Sequence, residues 1–240
     1  MKHLLPYLLV VILACPRTVV GQVEPAAPVA VKTPSVLATL LVADTPTVDY
    51  RVLNTLQHRR TTAANRFWVG VSNTFVLSFA APVVAACAAP VSPTFENHRL
   101  SLDYACESAL ALTINAAFTM GIKQMVNRPR PWVSHHGDLV CLQHVSSASF
   151  PSGHTSFTFT AATSLSLLFP QWYVILPAYL WAGSVAFSRL YVGAHYPTDV
   201  AVGALIGTGS ALLAHYIGQR IANAAPYAYT PPAIAITIPF

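Results

Sequence analysis

The sequence predicts an all-α fold, a helical bundle of about five to six helices that is integral to a membrane. Hydrophobic residues make up 54% of the 240-residue chain and charged residues only 9%, whereas about a quarter of the residues of an ordinary soluble domain are charged. The apolar residues fall in long segments that carry few or no charges. The length suits one domain with terminal extensions.

Residues 1–21 are predicted to be a signal peptide or an N-terminal anchor. Lys2 precedes an apolar stretch, which is the order of charge and hydrophobicity typical of export signals. Val19-Val20-Gly21 offers small residues for cleavage, the sequence around Cys15 resembles a loose lipoprotein signal, and retention as an anchor is the third possibility. Residues 22–48, rich in Pro, Ala and Val, are predicted to be a linker.

Residues 49–217 are predicted to form the folded domain, which opens with a surface helix and two membrane spans. Asp49–Arg66 carries apolar residues on one side and a basic cluster, which fits either an ordinary surface helix or a helix lying at the lipid headgroups. Phe67–Ala89 contains 23 residues without a charge, enough to cross a bilayer core at about 1.5 Å per residue. Leu102–Ile122 is the second predicted span, because its acidic residues are confined to its start.

A helical hairpin and one last helix complete the predicted domain. Ser156–Phe187 runs for 32 residues without a charge, and the proline in Phe169-Pro170-Gln171 should end one helix and separate it from the next. Both arms are short for membrane helices, so a soluble helical bundle is the alternative. Val200–Ile217 is the last predicted helix, residues 218–240 form a tail, and glycines would permit close helix contact. These glycines are Gly203, Gly207 and Gly209.

Three short clusters of polar residues interrupt the apolar helices. They are Lys123 with Arg130 and Pro131, then Pro151-Ser152-Gly153-His154, then Ser188-Arg189 with His195 and Asp199. If the helices alternate in direction, all three clusters lie at one end of the bundle. In a chain so poor in charge, three converging cations indicate an anionic partner, because Lys and Arg bind phosphate oxygens through charge-assisted hydrogen bonds.

The residue types in these clusters favour phosphoryl-transfer chemistry. Ser152-Gly153 opens an apolar helix whose free N–H groups attract an anion, although alone it could be a plain serine N-cap. Asp199 lies four residues after His195 and can hold one ring nitrogen while the other stays free as a nucleophile or base, although such a pair alone can be structural. His154 is placed to act as the acid. Arg128 is interpreted as a boundary residue that meets lipid headgroups.

Together the three clusters resemble the three-part signature of the type 2 phosphatidic acid phosphatase and vanadium haloperoxidase superfamily. The resemblance covers about residues 49–217. The separations between the clusters, 19 residues between Pro131 and Pro151 and 33 between His154 and Ser188, also resemble that family. The family resemblance implies a helical bundle with its active site at one membrane face.

The resemblance also implies a role for each matching residue. His195 is the nucleophile that forms a phosphohistidine, Asp199 orients its ring, and His154 protonates the leaving oxygen and later activates water. The phosphate oxygens are held by Lys123, Arg130, Arg189, Ser152 and the Gly153 N–H. No metal or other cofactor is implied, and vanadate would matter only to a haloperoxidase.

The function that the sequence favours is removal of phosphate from a lipid monoester or diphosphate of the lipid A, undecaprenyl diphosphate, phosphatidylglycerophosphate or phosphatidic acid class. The expected location is the outer face of a bacterial inner membrane, because the export-like start outweighs the basic residues near that face. The alternatives are a soluble exported acid phosphatase, a vanadate-dependent haloperoxidase and a non-catalytic lipid-phosphate binder. The scattered basic residues exclude a nucleic-acid surface, and the four cysteines lack zinc or disulfide-framework spacing. The sequence predicts no oligomeric state.

Overall fold

The computed structural model describes residues 48–88 and 95–224, and every regular element in those residues is helical. This confirms the predicted all-α class. The helices are α1 Val48–His58, α2 Thr62–Asn73, α3 Leu77–Ala88, α4 Phe95–Val126, the short α5 Pro131–Ser134, α6 Gly153–Leu168, α7 Trp172–Tyr191 and α8 Pro197–Ala224. The predicted signal or anchor, nearly all of the linker and most of the tail lie outside the described residues.

The first predicted span and the helix before it are each divided in two. A 3₁₀ turn, Thr74–Val76, separates α2 from α3 inside the segment predicted to cross the membrane as one helix. The helix predicted over Asp49–Arg66 breaks before Thr61, whose hydroxyl accepts the backbone N–H of Ala64 at 3.3 Å and caps α2. Neither break contains the proline or glycine that ordinarily signals one in a sequence.

The remaining predicted helices are present, with longer boundaries. α4 contains the second predicted span, and α8 continues from the predicted end at Ile217 to Ala224. The hairpin of α6 and α7 turns at residues 169–171, where the proline was expected to end a helix. Proline locks its own backbone and lacks an N–H, which explains why this boundary could be located from sequence.

Two stretches of the described chain are long and apolar enough to cross a membrane, Leu102–Ser134 and Pro197–Ile221. Only 33% and 28% of their most apolar windows are buried inside the protein. In a soluble bundle most of that apolar surface would contact water, at a cost of roughly 25 cal/mol per Å². The exposed apolar surface therefore fits membrane association.

The contact between α6 and α8 depends on two glycines of α8. A Cβ atom on Gly207 would overlap the carbonyl oxygen of Ser156, and one on Gly203 would lie 2.7 Å from the carbonyl oxygen of Ser152. Gly209 has nothing within 4 Å of the position of an added Cβ, so the predicted role of this third glycine is wrong. It lies two residues from Gly207, about 200° around the helix.

We expect Gly207→Ala to destabilise the protein by about 1–3 kcal/mol, because the new methyl group meets backbone that cannot rotate away. Thermal unfolding of the detergent-solubilised protein measures the effect. Gly209→Ala is the matched control, since alanine in an open helical position stabilises by roughly 0.5–1 kcal/mol relative to glycine. Equal changes in Tm for the two variants would contradict the close contact of α6 and α8.

Candidate active site

The predicted site residues meet at one end of the bundle, where α4 ends, α6 and α8 begin, and α7 ends. Nη1 of Arg130 lies 3.3 Å from Nε2 of His195. The backbone N–H of Ser152 donates to the backbone carbonyl of Asp199 at 3.0 Å. Alternating helix directions thus bring together residues that are separated by up to 76 positions, from Lys123 to Asp199.

His195 is a buried imidazole with a defined tautomer. Its side chain is 2% exposed, and Nδ1 lies 2.8 Å from the backbone carbonyl oxygen of Ser149. A carbonyl oxygen can only accept, so Nδ1 carries the proton and Nε2 carries the lone pair. Burial, together with the charges of Arg130, Arg189 and Lys123, holds the pKa of His195 well below its ordinary value. The neutral ring therefore directs the lone pair of Nε2 toward Arg130.

The sequence predicts that Asp199 holds the His195 ring, but the structure shows no direct hydrogen bond between the two side chains. Its Oδ2 atom lies 3.6 Å from Nδ1 of His195, which is too long for a hydrogen bond. Oδ2 instead accepts the hydroxyl of Ser149 at 2.5 Å and the backbone N–H of Tyr196 at 2.9 Å. Ser149 thus connects the carboxylate to the ring, because its hydroxyl donates to Asp199 and its carbonyl accepts from His195.

The interpretation of Arg128 as a residue that meets lipid headgroups is wrong. Its side chain is 3% exposed, with Nη1 at 2.7 Å from Oδ1 of Asp199 and Nη2 at 3.1 Å from Oδ2 of Asp49. Its guanidinium carbon also lies 3.9 Å from the centre of the Tyr196 ring. Arg128 therefore pairs with the carboxylate beside His195 and with Asp49, because its fork of donors can bind two acids at once.

The loop before α6 holds two of the predicted phosphate-binding cations. Nζ of Lys123 donates to the backbone carbonyl of Ala148 at 2.5 Å. Nε of Arg130 donates to the carbonyl of Ser147 at 2.8 Å, and Nη1 to the carbonyl of Ala194 at 2.8 Å. Backbone carbonyls are neutral acceptors, so they fix these side chains without cancelling the positive charge that an anion would meet.

Arg189 has free donors. Nη1 donates to the hydroxyl of Ser72 and to Oε1 of Gln143, the latter at 2.7 Å. Nε and Nη2 are buried and have no hydrogen-bond partner in residues 48–88 and 95–224. Burial and the charge of Arg130 lower the pKa of Arg189 to about 10, so it stays a cation at neutral pH. Unpaired guanidinium donors inside a protein are costly, and a bound oxyanion would satisfy them.

The start of α6 offers backbone donors, and the Ser152 side chain there is hydrogen-bonded to Thr155. The hydroxyl of Ser152 is fully buried and lies 3.0 Å from the hydroxyl of Thr155. Because α6 begins at Gly153, the N–H groups of its first turn have no acceptor within the helix. The helix N-terminus can thus receive an anion through Gly153, while direct contact from Ser152 stays a prediction.

His154 is the second residue of α6 and packs against Phe75. The two rings have their centres 3.8 Å apart and are tilted by 34°, and Phe75 belongs to the 3₁₀ turn that divides the first predicted span. Burial and then the charge of Arg189 hold the pKa of His154 far below its ordinary value. A phosphate bound among the cations would offset their charge and allow His154 to take a proton.

Five further residues contact the site and are not indicated by the sequence patterns: Asp49, Ser72, Gln143, Ser149 and Phe75. Each reaches the site from a loop or helix end whose local sequence carries no pattern typical of catalysis. Among the described residues, no three His, Cys, Asp or Glu side chains gather as metal ligands. The site thus consists mainly of cationic and neutral polar side chains, and its two carboxylates, Asp49 and Asp199, both pair with Arg128.

Comparison with known proteins agrees with this geometry. The family model described as PAP2 superfamily matches residues 104–222, which include every predicted site residue. The chain is 33% identical over 121 residues to lipid A 4'-phosphatase of Bacteroides thetaiotaomicron, covering 47% of this chain and 54% of that protein. It is 34% identical over 123 residues to a putative undecaprenyl-diphosphatase of Escherichia coli, covering 48% and 56%. The chain thus spans about half the length of these curated relatives.

Two solved structures share the helical arrangement. LpxE of Aquifex aeolicus matches with a TM-score of 0.61 at 24% identity, over 73% of this chain and 98% of that one. A transmembrane PAP2-type phosphatidylglycerolphosphate phosphatase from Bacillus subtilis matches with a TM-score of 0.60 at 23% identity, over 77% and 92%. The similarity is one of fold, and it covers nearly the whole of both solved structures.

Proposed function

The chain belongs to the PAP2 superfamily, and we propose on that premise that it is a membrane phosphatase that releases phosphate from a lipid monoester or diphosphate. One observation carries the proposal. Nε2 of His195 lies 3.3 Å from a guanidinium nitrogen of Arg130. Beside them is a second guanidinium, that of Arg189, whose buried Nε and Nη2 have no hydrogen-bond partner among the described residues. A phosphoryl group seated on these donors would meet the nucleophile directly.

In the first proposed step, Nε2 of His195 attacks phosphorus. The bond from phosphorus to the lipid oxygen breaks, its electron pair stays on that oxygen, and protonated His154 donates a proton to it. The products are a phosphohistidine and the lipid alcohol, or the lipid monophosphate if the substrate is a diphosphate. The carboxylate of Asp199, 3.6 Å from Nδ1, stabilises the positive charge that develops on the ring.

In the second proposed step, water attacks the phosphorus of the phosphohistidine. His154, now neutral, accepts a proton from that water, and the electrons of the phosphorus–nitrogen bond return to Nε2 of His195. In both steps Lys123, Arg130 and Arg189 bind the oxygens on which charge accumulates. The chain's own cations supply the stabilisation, so the mechanism requires no metal ion.

A lipid is the proposed substrate because apolar surface surrounds the site. The two membrane-spanning candidates end or begin at the catalytic residues, so a headgroup at the bilayer surface can reach them while its chains stay in the membrane. Relatives whose names specify lipid A, undecaprenyl diphosphate and phosphatidylglycerophosphate support this substrate class. We propose that the site faces the outside of a bacterial inner membrane.

The side of the membrane on which the site lies can be determined with single cysteines in a background without native cysteines. Asp138 is exposed in the loop at the catalytic end, and Arg220 is exposed near the end of α8, at the opposite end of the bundle. Asp138→Cys should react with a membrane-impermeant maleimide in intact spheroplasts, and Arg220→Cys only after lysis. The reverse pattern would place the site in the cytoplasm.

Phosphate release from detergent-solubilised protein tests the proposed activity. With metal chelated, we expect hydrolysis of phosphatidylglycerophosphate, undecaprenyl diphosphate or lipid A, and a lower kcat/KM for short soluble esters. Equal kcat/KM for soluble and lipid esters, together with release of the protein from membranes by carbonate, would favour the soluble acid phosphatase. Halide oxidation that requires vanadate and peroxide, without phosphate release, would favour the haloperoxidase.

A further inference from the structure

Helix α1 is attached to the catalytic end of the bundle through side chains along its length. Leu53 is 2% exposed and packs against Tyr196, the residue that follows the nucleophile. Gln57 donates to the backbone carbonyl of Asp138 at 2.5 Å and accepts the N–H of Val140 at 2.6 Å. A helix that only lay among lipid headgroups would need none of these contacts, so α1 has a defined place beside the site.

Asp49, in the first turn of α1, binds two residues next to the site. It is 8% exposed. Oδ2 accepts from Nη2 of Arg128 at 3.1 Å and from the hydroxyl of Thr198 at 2.6 Å, and Oδ1 accepts the backbone N–H of Thr198 at 3.2 Å. Thr198 belongs to the first turn of α8, so Asp49 also satisfies a free donor at that helix start.

These contacts form one continuous connection from α1 to the nucleophile. Asp49 binds Arg128, Arg128 binds Asp199 at 2.7 Å, the hydroxyl of Ser149 binds Asp199 at 2.5 Å, and the carbonyl of Ser149 binds His195 at 2.8 Å. We infer that Asp49 is a positioning residue for the reaction, which sets the place of the His195 ring through Arg128 and Asp199. This inference rests on the proposed phosphatase function.

The charges along this connection explain why Asp49 matters. Arg128 is one cation shared between two carboxylates, each bound by its own Nη atom. Without the charge on Asp49, the attraction that holds Nη2 of Arg128 toward α1 is weakened, and the balance shifts the guanidinium toward Asp199. Asp199 and the Ser149 hydroxyl that it binds would shift with it, and misplacement of a reacting atom by about 1 Å can cost roughly 100-fold in rate.

Substrate binding should not depend on this connection. The Asp49 carboxylate binds Arg128 and Thr198, whereas the three phosphate-binding cations are held by loop carbonyls, Ser72 and Gln143. A loss of positioning therefore lowers kcat, while KM stays near the wild-type value. A loss of folding would instead lower the amount of active protein.

Asp49→Asn tests the inference, because the amide keeps the size and an oxygen acceptor but removes the charge. With phosphatidylglycerophosphate as substrate, we expect kcat to fall about 10- to 100-fold with KM unchanged. Asp138→Asn makes the same chemical change on an exposed loop side chain and should keep wild-type kcat. Wild-type kcat in Asp49→Asn, or a raised KM with unchanged kcat, would overturn the inference.

A double-mutant cycle separates positioning from a general structural effect. If Asp49 acts through Asp199, then Asp49→Asn should add no further loss of kcat to an Asp199→Asn variant, because the connection is already broken. Losses that multiply would overturn the inference. Thr198→Val is the second variant, should Asp49→Asn fail to fold, because it removes one hydroxyl that touches both Asp49 and Arg128. It should lower kcat in the same way. A wild-type kcat in Thr198→Val would be decisive against the connection.

The outcome for wild-type protein keeps the two proposals apart. If wild-type protein releases no phosphate from any lipid, the proposed function fails. If wild-type protein is active, His195→Ala is inactive and Asp49→Asn retains the wild-type kcat, the function stands and only the role of Asp49 is rejected.

Discussion

His195→Ala is expected to lower kcat for lipid phosphate hydrolysis by about 10⁴-fold or more, because no other side chain of the site replaces its nucleophile. Nε2 of His195 is the ring nitrogen whose lone pair the Ser149 hydrogen bond leaves available, next to Nη1 of Arg130. Alanine removes that nitrogen but leaves Lys123 and Arg189 in place. Substrate binding should therefore survive the loss of chemistry.

Rapid quenching measures the effect directly. Wild-type protein mixed with lipid carrying a radiolabelled phosphate should accumulate an acid-labile, base-stable phosphoprotein, and His195→Ala should accumulate none. His136→Ala is a suitable control, since that histidine is exposed in the loop before α6 and should keep wild-type turnover. Phosphoprotein of equal yield in His195→Ala would assign the nucleophile to another residue.

The surroundings of His195 show what the spacing of residues in a sequence can and cannot predict. The spacing correctly predicts that His195 and Asp199 lie close together, at 3.6 Å, although His195 precedes α8, which begins at Pro197. Spacing could not show that Ser149 would occupy the hydrogen-bonding position between them. Ser149 arrives from a loop, and the conformation of a loop is set by tertiary contacts that no local periodicity encodes.

The same distinction explains the other differences between prediction and structure. Arg128 is adjacent to the predicted motif and still was assigned to lipid headgroups, because its two carboxylate partners lie 71 and 79 residues away in sequence. The 3₁₀ turn at Thr74–Val76 occurs in a stretch without a charge, directly after Ser72 and Asn73, and it places Phe75 on His154. Apolar composition predicts that a segment is buried in protein or lipid, not that its helix is continuous.

The helical class, in contrast, follows from physics that is local. Uncharged stretches of 20 or more residues satisfy their backbone hydrogen bonds within a helix. Pro170 lies in the turn between α6 and α7, where its fixed backbone and missing N–H favour a break, whereas Pro177 is accommodated inside α7. The convergence of the three clusters then needs only alternating helix directions. Sequence therefore predicts which residues meet, whereas the structure is needed to find what holds them there.

His154→Ala should have an effect that depends on the leaving group. For a lipid alkoxide, a poor leaving group, we expect kcat to fall about 10²- to 10⁴-fold, because the departing oxygen must be protonated as the bond breaks. For p-nitrophenyl phosphate the first step should be much less affected, since nitrophenolate departs without a proton. The second step still lacks its base, so this variant should show a burst of nitrophenol followed by slow turnover.

The electrostatics of His154 predict a linked proton. Burial and nearby cations hold its pKa far below the ordinary value in the empty site, and a bound phosphate dianion raises that pKa by offsetting Arg189 and its neighbours. A group whose pKa rises on binding takes up a proton between the free and bound values, so the affinity for inorganic phosphate should increase as pH falls through that window. Calorimetry in buffers of different ionisation enthalpy counts the proton.

In His154→Ala this proton uptake should disappear, apart from the protonation of phosphate itself, which the exposed-histidine control His136→Ala would share. An identical proton count in wild-type and His154→Ala would show that another group titrates on binding. Equal losses of kcat for lipid and nitrophenyl substrates would likewise remove His154 from its proposed role as the acid. Phe75 packs against the ring of His154. If this contact holds the imidazole where it can act as an acid, Phe75→Leu should show the same dependence on the leaving group in weaker form.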